Sequence, residues 1–202
     1  MGLFDIFKKK RNGIEEKDNM KEILMDMIKE TIKKWDKDDI YVVSLYVYNE
    51  YDNPCEPVMI LGYNTMERFK SQVKRVSHES KAKWNYAYWL QNNELEFGLG
   101  ETQKFVKNWI KENGYTYYNY DEMFKAKKMP PEETYCGITI GFVRVLVEII
   151  KELHSSGFIK EQFGKEIPVL VHELEYYDKI AEQNIEANSK ELVEDFVKFC
   201  IR

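Results

Sequence analysis

The chain predicts an α+β domain whose mixed, largely antiparallel sheet of about four to five strands is packed by helices, and three observations carry that prediction. Apolar residues recur at helical three-four spacing in several separate stretches, the clearest being Met20, Ile23, Leu24, Met27, Ile28, Ile32 and Trp35. Runs rich in Val, Ile and Tyr come in pairs joined by turn residues, as in hairpins. Strands and helices do not alternate regularly, so a doubly wound parallel sheet is not indicated.

Residues 1–17 hold no sustained period and read as a tail, with Leu3, Phe4, Ile6 and Phe7 ahead of the basic run Lys8, Lys9, Lys10 and Arg11. That order is the reverse of a secretory signal. One short apolar turn buries too little area for stable attachment, so membrane contact through this tail is not expected. Residues 18–202 read as a single domain, because the chain of 202 residues is 44% hydrophobic and its apolar runs extend from Met20 to Ile201 without a gap.

Asn19, with Glu22 three residues on, forms a capping box for the first helix, and Asp36-Lys37-Asp38-Asp39 ends it. Ile40 to Tyr48 is apolar on both faces, which places it inside a sheet. Asn53-Pro54 and Pro57 supply turn chemistry before a second strand, Val58 to Tyr63. Asn64 reads as the cap of the next helix, with Glu67 in the box position and Met66, Phe69, Val73 and Val76 turned inward. The aromatic strip from Trp84 to Leu90 alternates well enough to be a third strand, and Glu94 to Phe97 follows the Asn92-Asn93 turn as a fourth.

Gly98 and Gly100 precede a helix with the stripe Phe105, Val106, Trp109 and Ile110, closed by Asn113-Gly114 as a left-handed cap. Beyond the tyrosine-rich segment from Tyr115 to Tyr120 and a loop over Lys125 to Pro130, Pro131 suits the first turn of another helix. Ile138 to Leu153 is apolar on nearly every side and reads as the central buried helix. His154-Ser155-Ser156-Gly157 breaks it, and Pro168 to His172 forms the last strand. Helical patterns around Tyr176 to Ala187 and Leu192 to Cys200 close the chain, the second started by Asn188 with Glu191 in the box position.

Thirty basic against thirty-five acidic side chains give a net charge of −5. From Glu166 to Arg202 there are nine acids and four bases, so this end alone contributes five negative charges. Such a surface repels phosphate backbones, which argues against a nucleic-acid partner, and steers basic proteins towards itself. Cys55, Cys136 and Cys200 are odd in number and far apart, fitting neither a disulfide framework nor a zinc knuckle. They read as reduced thiols of a cytoplasmic protein.

His172-Glu173-Leu174-Glu175 with Asp178 is the best candidate for metal or hydrolytic chemistry, because imidazole and carboxylate are ligands of catalytic zinc and iron. No second histidine lies one turn on, and a strand-ending histidine followed by solvated helix-start acids accounts for the same residues. Cys136 lacks a base beside it and reads as a buried thiol. Gly98-Leu99-Gly100 lacks the third glycine and the lysine of a phosphate loop, and Glu101 follows it. Gly137 and Gly141, four apart, favour close helix packing. No catalytic residue, metal or cofactor is therefore assigned.

The aromatic strip and the tyrosines from Tyr115 to Tyr120 have the chemistry to stack nucleobases, yet only Lys81 and Lys83 flank the strip. Core packing should claim Trp84, Trp89 or both, and whatever stays exposed suits a protein interface.

Four segments carry a resemblance: Asp39-Ile40-Tyr41, Leu61-Gly62-Tyr63-Asn64-Thr65, Lys83-Trp84-Asn85-Tyr86-Ala87-Tyr88-Trp89 and His172-Glu173-Leu174-Glu175-Tyr176-Tyr177-Asp178. From about Met20 to Phe199 the chain resembles the bacterial domain-of-unknown-function family 4303, whose members are uncharacterised. In size and acidic α+β character it is similar to immunity proteins of bacterial toxin systems. This resemblance implies a protein that binds and blocks a basic toxin by presenting complementary acids, and it implies no catalytic residue.

The expectation is thus a cytosolic protein-binding domain, in its sharpest form an immunity-type inhibitor of a basic bacterial toxin. Trp84, Tyr86 and Tyr88 are the expected anchors, and Glu173, Glu175, Asp178 and Glu182 the expected steering acids. The alternative is a hydrolase, metal-dependent or otherwise, centred on His172 and nearby carboxylates and needing His78, His154 or Cys136 gathered beside it.

Overall fold

Helix α1 (Met20–Ile32) opens the computed structural model, which describes residues 19–36, 38–118 and 132–201. The Asn19 side chain caps it by accepting from the Lys21 N–H at 3.1 Å. Strands β1 (Ile40–Asn49) and β2 (Pro57–Thr65) form an antiparallel hairpin. Strand β3 (Leu95–Phe97) adds antiparallel to β2, and β4 (Val169–His172) adds parallel to β1. The resulting order, β3-β2-β1-β4, is a mixed, largely antiparallel sheet of four strands, and the fold is α+β. With a neighbour on each edge, β1 sits inside the sheet, as its unbroken apolar run predicts.

Seven further helices follow among the described residues: α2 (Met66–Val73), α3 (Glu79–Trp84), α4 (Gln103–Glu112), α5 (Glu132–Ser155), α6 (Phe158–Phe163), α7 (Asp178–Ala187) and α8 (Lys190–Cys200). Because side chains alternate along a strand, the sheet divides the core in two. Val43, Leu45 and Val47 of β1 face a large cluster with Leu24 and Ile28 of α1, Val106 of α4 and Phe142 and Leu146 of α5. Val42 of β1 and Leu170 of β4 face a second cluster with Phe69 of α2, Trp84 of α3, Ile180 of α7 and Phe196 of α8.

The aromatic strip departs from the expected third strand. Trp84 ends α3, and Tyr86–Tyr88 form a single 3-10 turn begun by Asn85, whose side chain accepts from the Ala87 N–H at 2.9 Å. The Trp89 Nε1–H donates to the Lys83 carbonyl at 2.9 Å, tying the two ends of the strip together. The turn thus brings Tyr86 and Trp89 together against His172, whereas a strand would set these residues, three apart, on opposite faces.

Two expected caps also move by one residue. Thr65 caps α2, its hydroxyl accepting from the Arg68 N–H at 3.1 Å, while Asn64 is buried and donates to the Tyr41 hydroxyl at 2.9 Å. Ser189 holds the cap position of α8, while Asn188 turns towards β4. The helices expected around Pro131 and Ile138 are one continuous α5, and α6 is a short extra helix between left-handed Gly157 and Gly164. Among the described residues no helix is long and apolar enough to cross a membrane. The tail 1–17, the loop 125–130, Pro131 and the side chain of Cys136 lie outside the described residues.

Candidate partner-binding surface

His172, the last residue of β4, is fully buried, with Nδ1 3.1 Å from the Glu173 carbonyl and Nε2 2.8 Å from the Ser44 hydroxyl. A carbonyl only accepts, so Nδ1 carries the proton and Nε2 accepts from Ser44. Tyr46, Tyr86, Trp89 and Tyr176 surround the imidazole, with ring centroids 4.9 to 5.8 Å away. Burial pushes its pKa down to about 4, so the ring is neutral.

The hydroxyl–imidazole spacing is that of a nucleophile and its base, but Ser44 is 2% exposed and His172 0%. The other histidines lie elsewhere. His154, near the end of α5, is held between Glu166 at 2.7 Å and Asn188 at 3.0 Å, and His78 is exposed at the start of α3. Among the described residues no group of three or more His, Cys, Asp or Glu is placed to hold a metal ion.

The expected acids lie around the start of α7. Glu175, Asp178 and Glu182 are exposed and form no ion pair among the described residues. Glu173 is half-buried and accepts from the Tyr177 hydroxyl at 3.1 Å. Glu173 and Glu182 line a groove of about 590 Å³ between α5 and α7, together with Ile140, Val143 and Val147. Arg144 and Lys179 line the same groove, so its charge is mixed.

The expected aromatic anchors separate. Trp84 is 3% exposed and Trp89 1%, and both belong to the second core. Tyr86 is 8% exposed, and Tyr88 is half-buried. What the sequence reading missed is the pair Tyr46 and Tyr48, two apart on one face of β1. Tyr48, Tyr46 and Tyr86 form a continuous stack, with centroids 5.7 and 4.9 Å apart and each ring pair within 20° of parallel. The signal was present as tyrosines at period two in an otherwise aliphatic strand.

Carboxylates act on the hydroxyls of this stack. Burial, then Glu173, raises the Tyr46 hydroxyl, and the same causes push Tyr177 up to about 12. Burial, Glu50 and Glu96 push Tyr48 up to about 12. Glu173 therefore acts on the Tyr46 hydroxyl of the stack and lines the groove.

The glycines have packing roles. Gly98 holds φ +113, and a Cβ there would lie 2.4 Å from the Pro57 carbonyl, so Gly98-Leu99-Gly100 is a sharp strand-to-helix turn. Gly137 and Gly141 let α5 approach Tyr115 and Trp109, which a Cβ would meet at 3.0 Å. Comparison with protein-family models, curated proteins and solved structures finds no match to the chain.

Proposed function

We propose that this chain is a cytosolic protein-binding domain for a basic partner, acting as an immunity-type inhibitor. The observation that carries this reading is the position of Glu173, which lines the groove with Val143, Val147 and Glu182, accepts from the Tyr177 hydroxyl and raises the hydroxyl of Tyr46 in the aromatic stack, with Glu175 and Asp178 exposed close by in the chain. Exposed carboxylates steer a cationic partner at little desolvation cost, while half-buried aromatic and aliphatic side chains supply contact area. The acidic α+β resemblance to immunity proteins points the same way.

Affinity capture from native cytosol with the tagged chain tests the reading. A basic protein retained at low salt, and lost from a Glu173→Gln, Glu175→Gln, Asp178→Asn variant, supports it; empty eluates at either salt concentration overturn it. A second reading, hydrolysis at Ser44, has the 2.8 Å contact with His172 in its favour and requires the cover of Tyr46 and Tyr86 to open. Covalent labelling of Ser44 by a fluorophosphonate probe would favour that reading instead.

A further inference from the structure

Strand register sets Glu96 of β3, Ile60 of β2, Tyr46 of β1 and His172 of β4 in one row across a single face of the sheet. The His172 end of this row is sealed by the second core, yet Tyr48 and Ile60 belong to neither core cluster. Glu96 is exposed, and Ile60, Tyr46 and Tyr48 are half-buried. This outer half of the face presents aromatic and aliphatic surface, with Glu96 in the same row and Glu50 directly after β1, and Glu50, Glu96 and Glu173 raise the hydroxyls of Tyr48 and Tyr46.

We propose that this outer half of the sheet face is a binding site for an arginine side chain presented by a protein or peptide partner, with Tyr48, the outer ring of the stack, as the platform and Glu50 and Glu96 as its anionic contacts. The site deepens the protein-binding reading and rests on it. A stack of near-parallel rings is extended by another flat group, and the guanidinium is planar and weakly hydrated where an ammonium is compact and strongly hydrated. Carboxylates beside the platform match the guanidinium fork, which pairs with them through parallel hydrogen bonds.

The surrounding field favours a cation. The carboxylates Glu173, Glu50 and Glu96 raise the hydroxyls of Tyr46, Tyr48 and Tyr177. The groove between α5 and α7 differs, because Arg144 and Lys179 stand there beside Glu182 and compete for any incoming charge of their own sign.

The test titrates the full chain with a fluorescein-labelled hexa-arginine peptide and its hexalysine counterpart, read by fluorescence polarisation, with the methyl resonance of Ile60 reporting location. Hexa-arginine should bind about fivefold more tightly than hexalysine and shift Ile60, since a cation–π contact contributes roughly 1 kcal/mol. Tyr48→Leu should remove that preference, Tyr48→Phe should keep it, and Glu50→Gln with Glu96→Gln should weaken both peptides and flatten the salt dependence. Equal binding of the two peptides, an unmoved Ile60, or a folded Tyr48→Leu protein that binds as before overturns the site. If the captured partner is retained while Tyr48→Leu has no effect, only the arginine site falls. If no partner is captured at all, the protein-binding reading falls with it.

Discussion

The side-chain amide of Asn184 pairs with the main chain of Val171 as a neighbouring strand would: Oδ1 accepts the Val171 N–H at 2.9 Å and Nδ2 donates to its carbonyl at 2.7 Å. One helical turn on, Asn188 repeats the pattern at Val169, with both bonds at 3.0 Å. Two asparagines of α7 and its cap thus close the outer edge of β4, which otherwise presents unpaired groups to other chains. Asn184→Leu keeps the volume but orphans the buried Val171 N–H, so it should lower unfolding free energy by about 2–4 kcal/mol. Urea denaturation measures this, and a midpoint equal to wild type would show that the edge does not depend on the amide.

His172 makes stability depend on pH, and the direction follows from its burial. Its pKa falls from 6.5 to about 4 on folding, so the folded state favours the neutral ring. The contribution is complete above about pH 6.5 and is lost as pH falls towards about 4, reaching on the order of 3 kcal/mol for the fully buried ring. Denaturant midpoints of wild type should decline across that window more steeply than those of His172→Gln. Parallel slopes would mean that the fold opens around this ring before it protonates.

Much of the architecture was legible because it rests on local pattern. Met20 to Ile32 shows its period and its cap, and Ile40 to Tyr48 shows by its unbroken apolar run that both faces are covered. The candidate surface was legible only in part, because its geometry depends on contacts distant in sequence. Ser44 meets His172 across 128 positions, and no spacing rule joins them. Tyr86 looked like an interface anchor, but the turn that Asn85 starts puts it against His172 and Tyr46. Asn188 read as a helix cap and nothing marked Asn184, because the partner of both is the strand edge that the fold brings to them.

The buried thiols should be unreactive in the folded protein. Burial pushes Cys200 up to about 12 and also raises Cys55, where the nearby Glu56 carboxylate adds to the effect. The thiolate is the nucleophile, so iodoacetamide at neutral pH should leave both unmodified until denaturant is added. Peptide mapping that finds either one rapidly alkylated in the native protein would place it on an opening segment.

The β3 turn should tolerate no side chain at Gly98. Its φ of +113 is strained for any L-residue, and the added Cβ would sit 2.4 Å from the Pro57 carbonyl, a main-chain atom that cannot rotate away. Gly98→Ala should therefore cost about 1–3 kcal/mol or more, whereas Gly100→Ala, at φ +54 with open space around it, should cost less. Thermal unfolding of the two variants orders them, and equal losses would refute the steric account.

The acids and the aromatic side chains should separate in binding kinetics once a partner is in hand. Glu175 and Asp178 are exposed, so their amide variants should slow association and reduce its dependence on salt while leaving dissociation nearly unchanged. Tyr86 is buried against His172, so Tyr86→Ala should destabilise the whole domain and cannot report on contact alone. Tyr48, at the outer end of the stack, is the informative aromatic: Tyr48→Leu should speed dissociation with little effect on association. Stopped-flow rates at two ionic strengths distinguish these effects, and an association rate indifferent to the loss of both carboxylates would move the partner away from the start of α7.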